Sequence, residues 1–287
     1  MSDLKKPEST LLIKTFERPE ALDRLLDSIQ QYAPNHPVLI ADDSQSPYKA
    51  KMLAKHGDLI TEYVTLPFDT GKYESFNHLL DRVNTPYFVV NDDDFIYDER
   101  TDLDWMHQQL SSTDIELLGG LFYDRGSYKA GPDASIPARI WANVMRKMGR
   151  YQERIRRYQG RLLEEDTTLV MDPIEYKPPY TYCDYTHYFF MADTEAIREK
   201  VGGWRGEIKI RGHWEFFYRA KKAGLKVAST EEVGVAHRPI GSTRKYKRFR
   251  NDRGDHFERL ALQMHGFTRK KWFATAMKPH RWREFEV

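Results

Sequence analysis

The sequence predicts an α/β fold with a central, mostly parallel sheet and helices on both of its faces. Within the first hundred residues, apolar strand-like runs alternate four times with segments of helical periodicity. The strand-like runs are almost wholly apolar, as expected for strands covered on both faces. Polar clusters follow at Thr15, Asp42 and Asp92, where three of these runs end. Together these observations favour a parallel sheet whose polar strand ends form one functional site.

The first four strands are predicted over residues 11–15, 38–41, 60–66 and 87–91. Helices are predicted between them, starting near Pro19, Ser46 and Gly71. Proline suits the first helical turn because its missing N–H would have no partner there. Right-handed crossovers then place the carboxyl ends of the parallel strands at one edge, where ligands of such sheets bind.

The second half of the chain has less regular patterns and no linker that would separate two domains. A long basic helix is predicted over residues 139–163, where apolar residues recur at helical spacing. The other predicted helices cover residues 103–110, 193–200 and 213–223. The predicted strands cover residues 115–123, 168–171, 174–176, 185–191, 227–229 and 233–237. We expect one domain over residues 1–240 and a basic extension over 241–287 that packs on it.

Three adjacent aspartates, Asp92, Asp93 and Asp94, follow the apolar strand Tyr87–Val90. Their charges repel, so a compensating partner is needed. A divalent cation is the usual partner, because hard carboxylate oxygens suit Mg²⁺ or Mn²⁺. The alternative is an acidic turn that caps the helix predicted near Asp102.

Composition excludes several classes of protein. The 287 residues are 40% hydrophobic and 13% aromatic, which is enough for a large core, and no apolar run approaches the length of a membrane span. The N-terminus is polar and has no signal-peptide pattern, and the single cysteine, Cys183, excludes an internal disulfide. We therefore expect a cytoplasmic protein.

The net charge of +2 is unevenly distributed. Residues 139–161 contain eight Lys/Arg and one acidic residue, and residues 238–287 contain fourteen Lys/Arg and five acidic residues. Such blocks indicate an anionic partner, such as a nucleotide, a lipid headgroup or a nucleic acid. The alternative for each block is a solvated helix face.

Several motifs, taken in order, resemble those of inverting glycosyltransferases with the GT-A fold, in the large family-2-like group. They are similar above all to the β-1,4-N-acetylgalactosaminyltransferases that build complex gangliosides. The motifs are residues 12–16, 40–44, 67–68, 91–95, 119–120 and 213–217. The resemblance covers roughly residues 10–240. It implies a Rossmann-like domain with a nucleotide-binding half over about 10–100 and an acceptor half over about 101–240. It also implies a UDP-sugar donor, a glycan or lipid-linked glycan acceptor, and Mn²⁺ or Mg²⁺.

The resemblance also assigns donor contacts. Thr15, Glu17 and Arg18 should border the uridine, and Asp42 should bond the base or the ribose. For Asp42 the alternative is a cap on the following turn. Further donor contacts are implied for Lys72, Asn77, Asp92, Asp93 and Trp204. An exposed helix lysine is the alternative for Lys72.

The metal ligands implied by the resemblance are Asp92 and Asp94, with His237 at a late strand end as the third. Imidazole suits Mn²⁺ better than Mg²⁺. A divalent ion there would stabilise the charge that grows on a diphosphate leaving group. The alternative for His237 is a histidine that closes the strand by hydrogen bonding.

An inverting transferase needs a base that deprotonates the acceptor hydroxyl. Glu215 is the first candidate, because a carboxylate in the first helical turn faces the helix dipole and stays ionised. His213 is the second candidate. In the family the base belongs to a pair of acidic residues at this position, and one alignment puts His213 where the member of that pair that acts as the base stands. The alternative for Glu215 is a salt bridge to Arg219 at i+4.

Two other enzyme or binding classes fit less well. A nucleotidyltransferase that makes a nucleotide sugar would carry a glycine-rich loop after the first strand, and residues 15–19 contain no glycine. The basic C-terminus with Tyr246, Phe249 and Phe257 could bind nucleic acid, but the aspartates would repel its phosphates. We expect no nucleic-acid partner. The basic segment 244–283 is expected to cover the active site or to dock peripherally on an anionic membrane.

Overall fold

The computed structural model describes residues 8–127, 136–148, 151–238, 244–250, 252–274 and 281–287. The strands in these ranges are β1 (Ser9–Thr15), β2 (Val38–Asp42), β3 (Ile60–Thr65), β4 (Tyr87–Asp92), β5 (Phe95–Ile96), β6 (Leu117–Ser127), β7 (Tyr151–Arg156), β8 (Gly160–Glu165), β9 (Thr168–Pro173), β10 (Thr181–Tyr182), β11 (Phe190–Asp193), β12 (Val227–His237), β13 (Arg269–Ala274) and β14 (Arg281–Glu286). The helices are α1 (Pro19–Tyr32), α2 (Lys49–His56), α3 (Lys72–Leu80), α4 (Leu103–Ser112), α5 (Ile136–Lys147), α6 (Thr194–Ala196, continued by a π-helical turn over Ile197–Val201), α7 (His213–Lys222), α8 (Arg244–Arg250) and α9 (Gly254–Met264).

The larger sheet has the strand order β10-β12-β6-β11-β4-β1-β2-β3, with β5 beside β12 and β7 beside β6. Strands β1 to β4 are parallel, and β12 is parallel to β6. Strand β11 is antiparallel to both of its neighbours, β4 and β6. Two successive reversals restore the direction, so β6 and β12 run the same way as β1 to β4. The carboxyl ends of β1, β2, β4, β6 and β12 therefore lie along one edge.

Helices cover both faces of this sheet, as the sequence predicts. Along β1, Leu11 and Ile13 pack into one buried cluster, while Leu12 packs into the other. The first cluster includes apolar residues of α1 and α4, and the second includes those of α3 and α7. Each fully buried aliphatic or aromatic side chain contributes roughly 1.5–3 kcal/mol, so the two layers hold the sheet edge rigidly.

The long basic helix predicted over residues 139–163 is wrong. Helix α5 ends at Lys147, and residues 151–156 form β7, which pairs antiparallel with β6. Strand β8 begins at Gly160, where an added Cβ would lie 2.0 Å from the backbone oxygen of Asp172. The apolar residues Ile155 and Leu162 fit a helical period locally. The pairing of β7 with β6 and of β8 with β9 overrides that pattern.

Four other predicted strands differ from the structure. The strand predicted over residues 185–191 begins only at Phe190, and residues 174–176 form no regular strand. The two strands predicted over 227–229 and 233–237 are one strand, β12, whose pairing with β6 shifts register between Ser229 and Gly234.

A smaller sheet joins the C-terminal segment to the middle of the chain. Its strand order is β14-β13-β9-β8, with β13 parallel to β9. Helix α9 buries Phe257, Ala261 and Leu262 in the same core cluster as α7. Residues after 240 thus supply two strands and a buried helix face. Across the described ranges, no helix combines the length and apolar character needed to cross a membrane.

Candidate active site

The three aspartates at the end of β4 lie at the predicted edge, and each has a basic partner. Asp92 faces Lys72, the first residue of α3, with Nζ and Oδ1 2.6 Å apart. Asp93 accepts hydrogen bonds from Arg18 and from Thr15, whose Oγ1 lies 2.9 Å from Oδ2. Asp94 accepts a hydrogen bond from Arg18 Nη1 at 2.7 Å. The repulsion expected from the sequence is thus compensated by cations of the chain itself.

Asp93 and Asp94 have different electrostatic surroundings. Burial raises the pKa of Asp93 to about 6, although the charge of Arg18 opposes the shift. For Asp94, burial also opposes ionisation, but the hydrogen bond from His237 and the charge of Arg18 lower its pKa below the usual range. Asp94 is therefore the carboxylate best held in its ionised form.

His237 is oriented by a second carboxylate, Asp124. Its Nδ1 lies 2.8 Å from Asp124 Oδ1, and its Nε2 lies 3.5 Å from Asp94 Oδ2. Burial opposes protonation of His237, but the hydrogen bonds to Asp124 and Asp94 raise its pKa to about 9. A ligand histidine in metal sites commonly has its other ring nitrogen held by a carboxylate. The Oδ2 of Asp94 and the Nε2 of His237, 3.5 Å apart, therefore suit a divalent ion once His237 has lost its proton, whereas Asp92, two residues before Asp94, pairs with Lys72.

Among the described residues, Asp23, Asp27 and His56 on α1 and α2 form a compact group of possible ligands. The ammonium of Lys55 lies 2.8 Å from Asp23 and 3.0 Å from Asp27, so a cation of the chain already balances their charge. This group is not at the strand ends.

Helix α8 covers the cavity above the aspartates. Cavity-lining side chains from this helix are Tyr246, Phe249 and Arg250. The ring of Phe249 packs on Phe16 and Phe68, with centroid distances of 5.8 and 5.1 Å. The remaining cavity measures about 40 Å³, whereas sites for small-molecule ligands typically measure about 300–1,000 Å³. A nucleotide does not fit while α8 is in this position.

Unsatisfied polar atoms surround this cavity. Among the described residues, buried Arg18 Nε, Asp43 Oδ1 and Lys72 Nζ have no partner with hydrogen-bond geometry. Asp43 and Lys72 nevertheless have ion-pair neighbours, Lys14 at 2.9 Å and Asp92 at 2.6 Å. Buried polar atoms are nearly always satisfied, and here ion pairs replace most of the missing hydrogen bonds, so the cavity has a charged lining suited to a polar ligand.

A larger cavity of about 530 Å³ adjoins the first, and Arg250 lines both. Its described lining is mainly basic and aromatic, with one carboxylate, Glu258. The lining residues are Phe122, Arg156, Arg157, Tyr158, His187, Tyr188, Arg211, His213, Trp214, Arg250, Glu258, Lys270, Trp272 and Phe285. Glu258 accepts hydrogen bonds from Trp214 Nε1 at 3.0 Å and from Lys270. The cavity can take a polar molecule with apolar faces, such as a sugar.

The two candidate bases have different environments. His213, the first residue of α7, lines the larger cavity, and burial together with the charges of Lys72 and Arg250 holds its pKa well below the usual value. Glu215 lies outside the described lining of both cavities and is 2% exposed. Its carboxylate accepts hydrogen bonds from Arg219 at 2.8 and 3.3 Å and from His265 at 3.1 Å. The salt bridge given as the alternative for Glu215 is therefore present.

Several residues assigned to the donor by resemblance also hold loops. Both oxygens of buried Asp42 accept hydrogen bonds, from Ser44 N, Tyr48 N and the hydroxyl of Tyr63, at 2.7–3.0 Å. The neighbouring Asp43 faces the cavity in its place. Glu17 accepts a hydrogen bond from the backbone N–H of Gln45 at 2.9 Å.

Asn77 and Trp204 belong to one structural contact. The Asn77 amide donates to the Trp204 carbonyl at 2.9 Å and accepts from its N–H at 2.8 Å. Trp204 is buried, and its Nε1 donates to the hydroxyl of Tyr188 at 3.0 Å. The described lining of the two cavities includes neither residue.

Sequence reasoning missed four charged contributors to the first cavity, namely Lys14, Asp43, Asp69 and Arg250. Lys14 and Asp43 could have been found from the sequence, because they are adjacent to Thr15 and Asp42, which were predicted as donor contacts. Arg250 lies beyond residue 240, where the resemblance ends. Its place in the site depends on how α8 packs.

Comparisons with known proteins bear on the family and the fold of the chain. The model of glycosyl transferase family 2 matches residues 10–172. The chain is 35% identical over 111 residues to beta-1,4 N-acetylgalactosaminyltransferase 2 of Mus musculus, covering 39% of this chain and 21% of that protein. It is 26% identical over 232 residues to beta-1,4 N-acetylgalactosaminyltransferase 1 of Homo sapiens, covering 79% and 38%. The chain thus spans less than two fifths of the length of these relatives.

Solved structures share the fold. GalNAc-T7 with UDP, GalNAc and Mn²⁺ superposes with a TM-score of 0.59 at 12% identity, covering 84% of this chain and 47% of that one. Mannosyltransferase PcManGT from Pyrobaculum calidifontis, in complex with GDP-Man and Mn²⁺, gives 0.53 at 16% identity, covering 88% and 62%. At these identities the likeness shows the fold alone, which is GT-A. Because the family model matches more than half of its residues, the chain belongs to glycosyl transferase family 2.

Proposed function

We propose that the chain is a metal-dependent, inverting glycosyltransferase. It transfers a sugar, an N-acetylhexosamine or a hexose, from a UDP-sugar to a glycan or glycolipid acceptor. The observation that carries this proposal is the approach of Asp94, the last of the three adjacent aspartates, to His237 at the end of β12, beside a cavity that contains His213. The curated relatives, named as N-acetylgalactosaminyltransferases, support UDP-N-acetylgalactosamine as the first donor to test.

The donor diphosphate is proposed to bind in the first cavity. Lys72 and Arg18 now neutralise the aspartates, and both carry buried nitrogen atoms without hydrogen-bond partners among the described residues. These cations would turn to the phosphate oxygens, because charge-assisted hydrogen bonds to phosphate are strong. Asp92, Asp94 and His237 would hold Mn²⁺ or Mg²⁺, which supplies charge stabilisation for the departing diphosphate.

The acceptor is proposed to bind in the larger cavity, with His213 as the base. The low pKa of His213 keeps its imidazole neutral, so a ring nitrogen can accept the proton of an acceptor hydroxyl. A bound diphosphate would add negative charge near Lys72 and Arg250. The positive charges of these residues would then oppose protonation of the His213 imidazole less strongly. Attack from this side, opposite the leaving group, inverts the anomeric centre.

Donor entry is proposed to require an outward movement of α8. With α8 in place, the first cavity is too small for a nucleotide. The described contacts that hold α8 include the packing of Phe249 on Phe16 and Phe68, and the ion pair between Arg253, just after the helix, and Asp69. The helix would then close again, with Arg250 between donor and acceptor.

The test is release of UDP from a panel of UDP-sugars with Mn²⁺, with and without excess chelator. We expect activity only with metal, and none in Asp94→Ala, while Asp58→Ala, at an exposed turn, should keep wild-type rates. Full activity in excess chelator would remove the metal role. The anomeric configuration of the product tests the stereochemistry, since an α-linked product would exclude direct displacement of an α-linked donor sugar.

A further inference from the structure

The most exposed apolar residues of the described chain are concentrated in one short region. Among the large apolar side chains, the six most exposed all lie between residues 136 and 155, with values from 45% for Val144 to 74% for Ile136. The six are Ile136, Ile140, Trp141, Val144, Met148 and Ile155. Single exposed apolar residues are normal on proteins, but a contiguous group marks an interaction surface.

Five of these side chains belong to α5 and the turn that continues it. The backbone N–H of Met148 donates to the carbonyl of Val144 at 3.0 Å, so helical geometry extends to Met148. At 3.6 residues per turn, positions 136, 140, 141, 144 and 148 fall within a sector of about 140°. Helix α5 therefore carries an apolar stripe on an exposed face, the reverse of a helix that packs its stripe on a core.

The charge of this region identifies the partner. Residues 139–161 contain eight Lys/Arg and a single acidic residue, Glu153. An apolar helix face that includes tryptophan, within a strongly basic stretch, is the pattern of helices that lie in the interface of anionic bilayers. We propose that α5 docks the protein peripherally on an anionic lipid surface, with its apolar stripe among the headgroups. The sequence favours an anionic surface, since residues 139–150 contain four Lys/Arg and no acidic residue.

The position of α5 links this surface to the active site. The helix lies in the connection between β6 and β7, which pair antiparallel from Phe122 and Arg156 to Ser127 and Tyr151. Asp124 of β6 orients His237, and Arg156 of β7 lines the larger cavity. If the proposed transferase function holds, docking through α5 would present that cavity to an acceptor carried by a lipid.

The basic C-terminus is the competing membrane surface that the sequence suggests. Two of its interfacial-type residues, Lys270 and Trp272, line the larger cavity, and Lys270 also pairs with Glu258. Trp282 is a large apolar C-terminal residue that remains exposed, at 40%. A variant at Trp282 therefore serves as the matched control.

The experiment is flotation of the purified chain with vesicles of phosphatidylcholine alone or mixed with phosphatidylglycerol. We expect the wild type to float only with the anionic vesicles. The double variant Ile140→Ser/Trp141→Ser should lose roughly tenfold or more of this binding, because two apolar side chains no longer enter the interface. Trp282→Ser should float like the wild type. The single variant Ile136→Ser, at the most exposed site, is a second probe that should also weaken flotation.

Other outcomes would overturn the proposal. These are wild-type flotation of both α5 variants, loss of flotation in Trp282→Ser alone, or no vesicle binding by the wild type. Self-association without lipid that the double variant abolishes would identify a second copy as the partner instead. Thermal melting checks that the variants are folded. Vesicle binding is measured without donor, so failure of the transferase activity would leave this result standing.

Discussion

The imidazole Nδ1 of His237 lies 2.8 Å from Oδ1 of Asp124, where the parallel strands β12 and β6 place the two residues in register. This contact aims Nε2 at Asp94. We expect Asp124→Asn to weaken Mn²⁺ binding about 10–100-fold, as loss of a carboxylate behind a ligand histidine usually does. Titration of Mn²⁺ followed by electron paramagnetic resonance measures the affinity directly, without turnover.

Glu116→Gln is the matched control for that measurement. Glu116 pairs with Lys200 just before the start of β6, so its loss should leave Mn²⁺ affinity unchanged. If Asp124→Asn binds Mn²⁺ as tightly as the wild type, His237 is not a ligand, and its hydrogen bonds only close the strand.

The surroundings of His213 and Glu215 predict opposite effects of substitution. His213→Asn should keep UDP binding and lower turnover about a hundredfold or more, the usual contribution of a general base. Glu215→Gln should instead reduce the free energy of unfolding by about 3 kcal/mol, because it leaves the partly buried guanidinium of Arg219 without its carboxylate. Urea denaturation and steady-state kinetics on both variants separate these effects. A stable Glu215→Gln protein with lost turnover would restore Glu215 as the base.

Much of this site could be predicted from the sequence because its main signals are local. The apolar run Tyr87–Val90 ends in acids, and His237 ends another apolar strand, so both belong to one edge of a parallel sheet. The partners of these residues could not be predicted. Asp124 meets His237 only because β6 and β12 are neighbours, and Arg253 meets Asp69 across 184 residues of sequence. Such contacts depend on strand order and helix packing, which local patterns do not contain.

The difference between local patterns and long-range pairing also explains the helix wrongly predicted over residues 139–163. Ile155 and Leu162 are seven residues apart, a spacing that two helical turns also produce. Strand pairing with β6 and β9 decides the structure there. The local signal was correct for α5, where helical spacing continues to Lys147.

The ion pair between Arg253 and Asp69 predicts how fast the donor binds. Arg253 Nη1 and Nη2 lie 2.9 and 2.6 Å from the two oxygens of Asp69, which holds the segment after α8 against the cavity. Asp69 has a positive φ of 57°, a conformation that asparagine tolerates, so Asp69→Asn should keep the loop. Loss of about 1 kcal/mol from the closed state should speed UDP association about fivefold.

Stopped-flow fluorescence with a labelled UDP measures that rate. Asp255→Asn is the control, since it removes a longer, exposed pair with Arg211 at 3.4 Å and should leave association unchanged. Equal association rates in the wild type and in Asp69→Asn would show that α8 does not limit entry of the nucleotide.

The last prediction concerns His187 and acid stability. Its ring is 7% exposed, its Nε2 lies 2.6 Å from the backbone oxygen of Arg156, and it stacks on Phe122 at 4.3 Å. Burial lowers the pKa of His187 to about 4, against about 6.5 in the unfolded chain. The unfolded state therefore takes up a proton first as the pH falls. The resulting stability is complete above about pH 6.5 and is lost progressively towards pH 4, by at most about 1.4 kcal/mol per pH unit.

Carboxylates with lowered pKa values, such as Asp94 and Asp69, also make the folded protein less stable in acid. The contribution of His187 is therefore measured as the difference between the wild type and a His187 variant in the stability lost between two pH values. Urea denaturation at pH 7 and pH 5 should show a smaller loss for His187→Gln than for the wild type, because glutamine can donate to the Arg156 carbonyl but does not titrate. His256→Gln, at an exposed position, should keep the wild-type loss. If the His187→Gln protein loses as much stability as the wild type between these pH values, His187 is not held neutral by burial, and the acid sensitivity must come from other groups such as the carboxylates and His213.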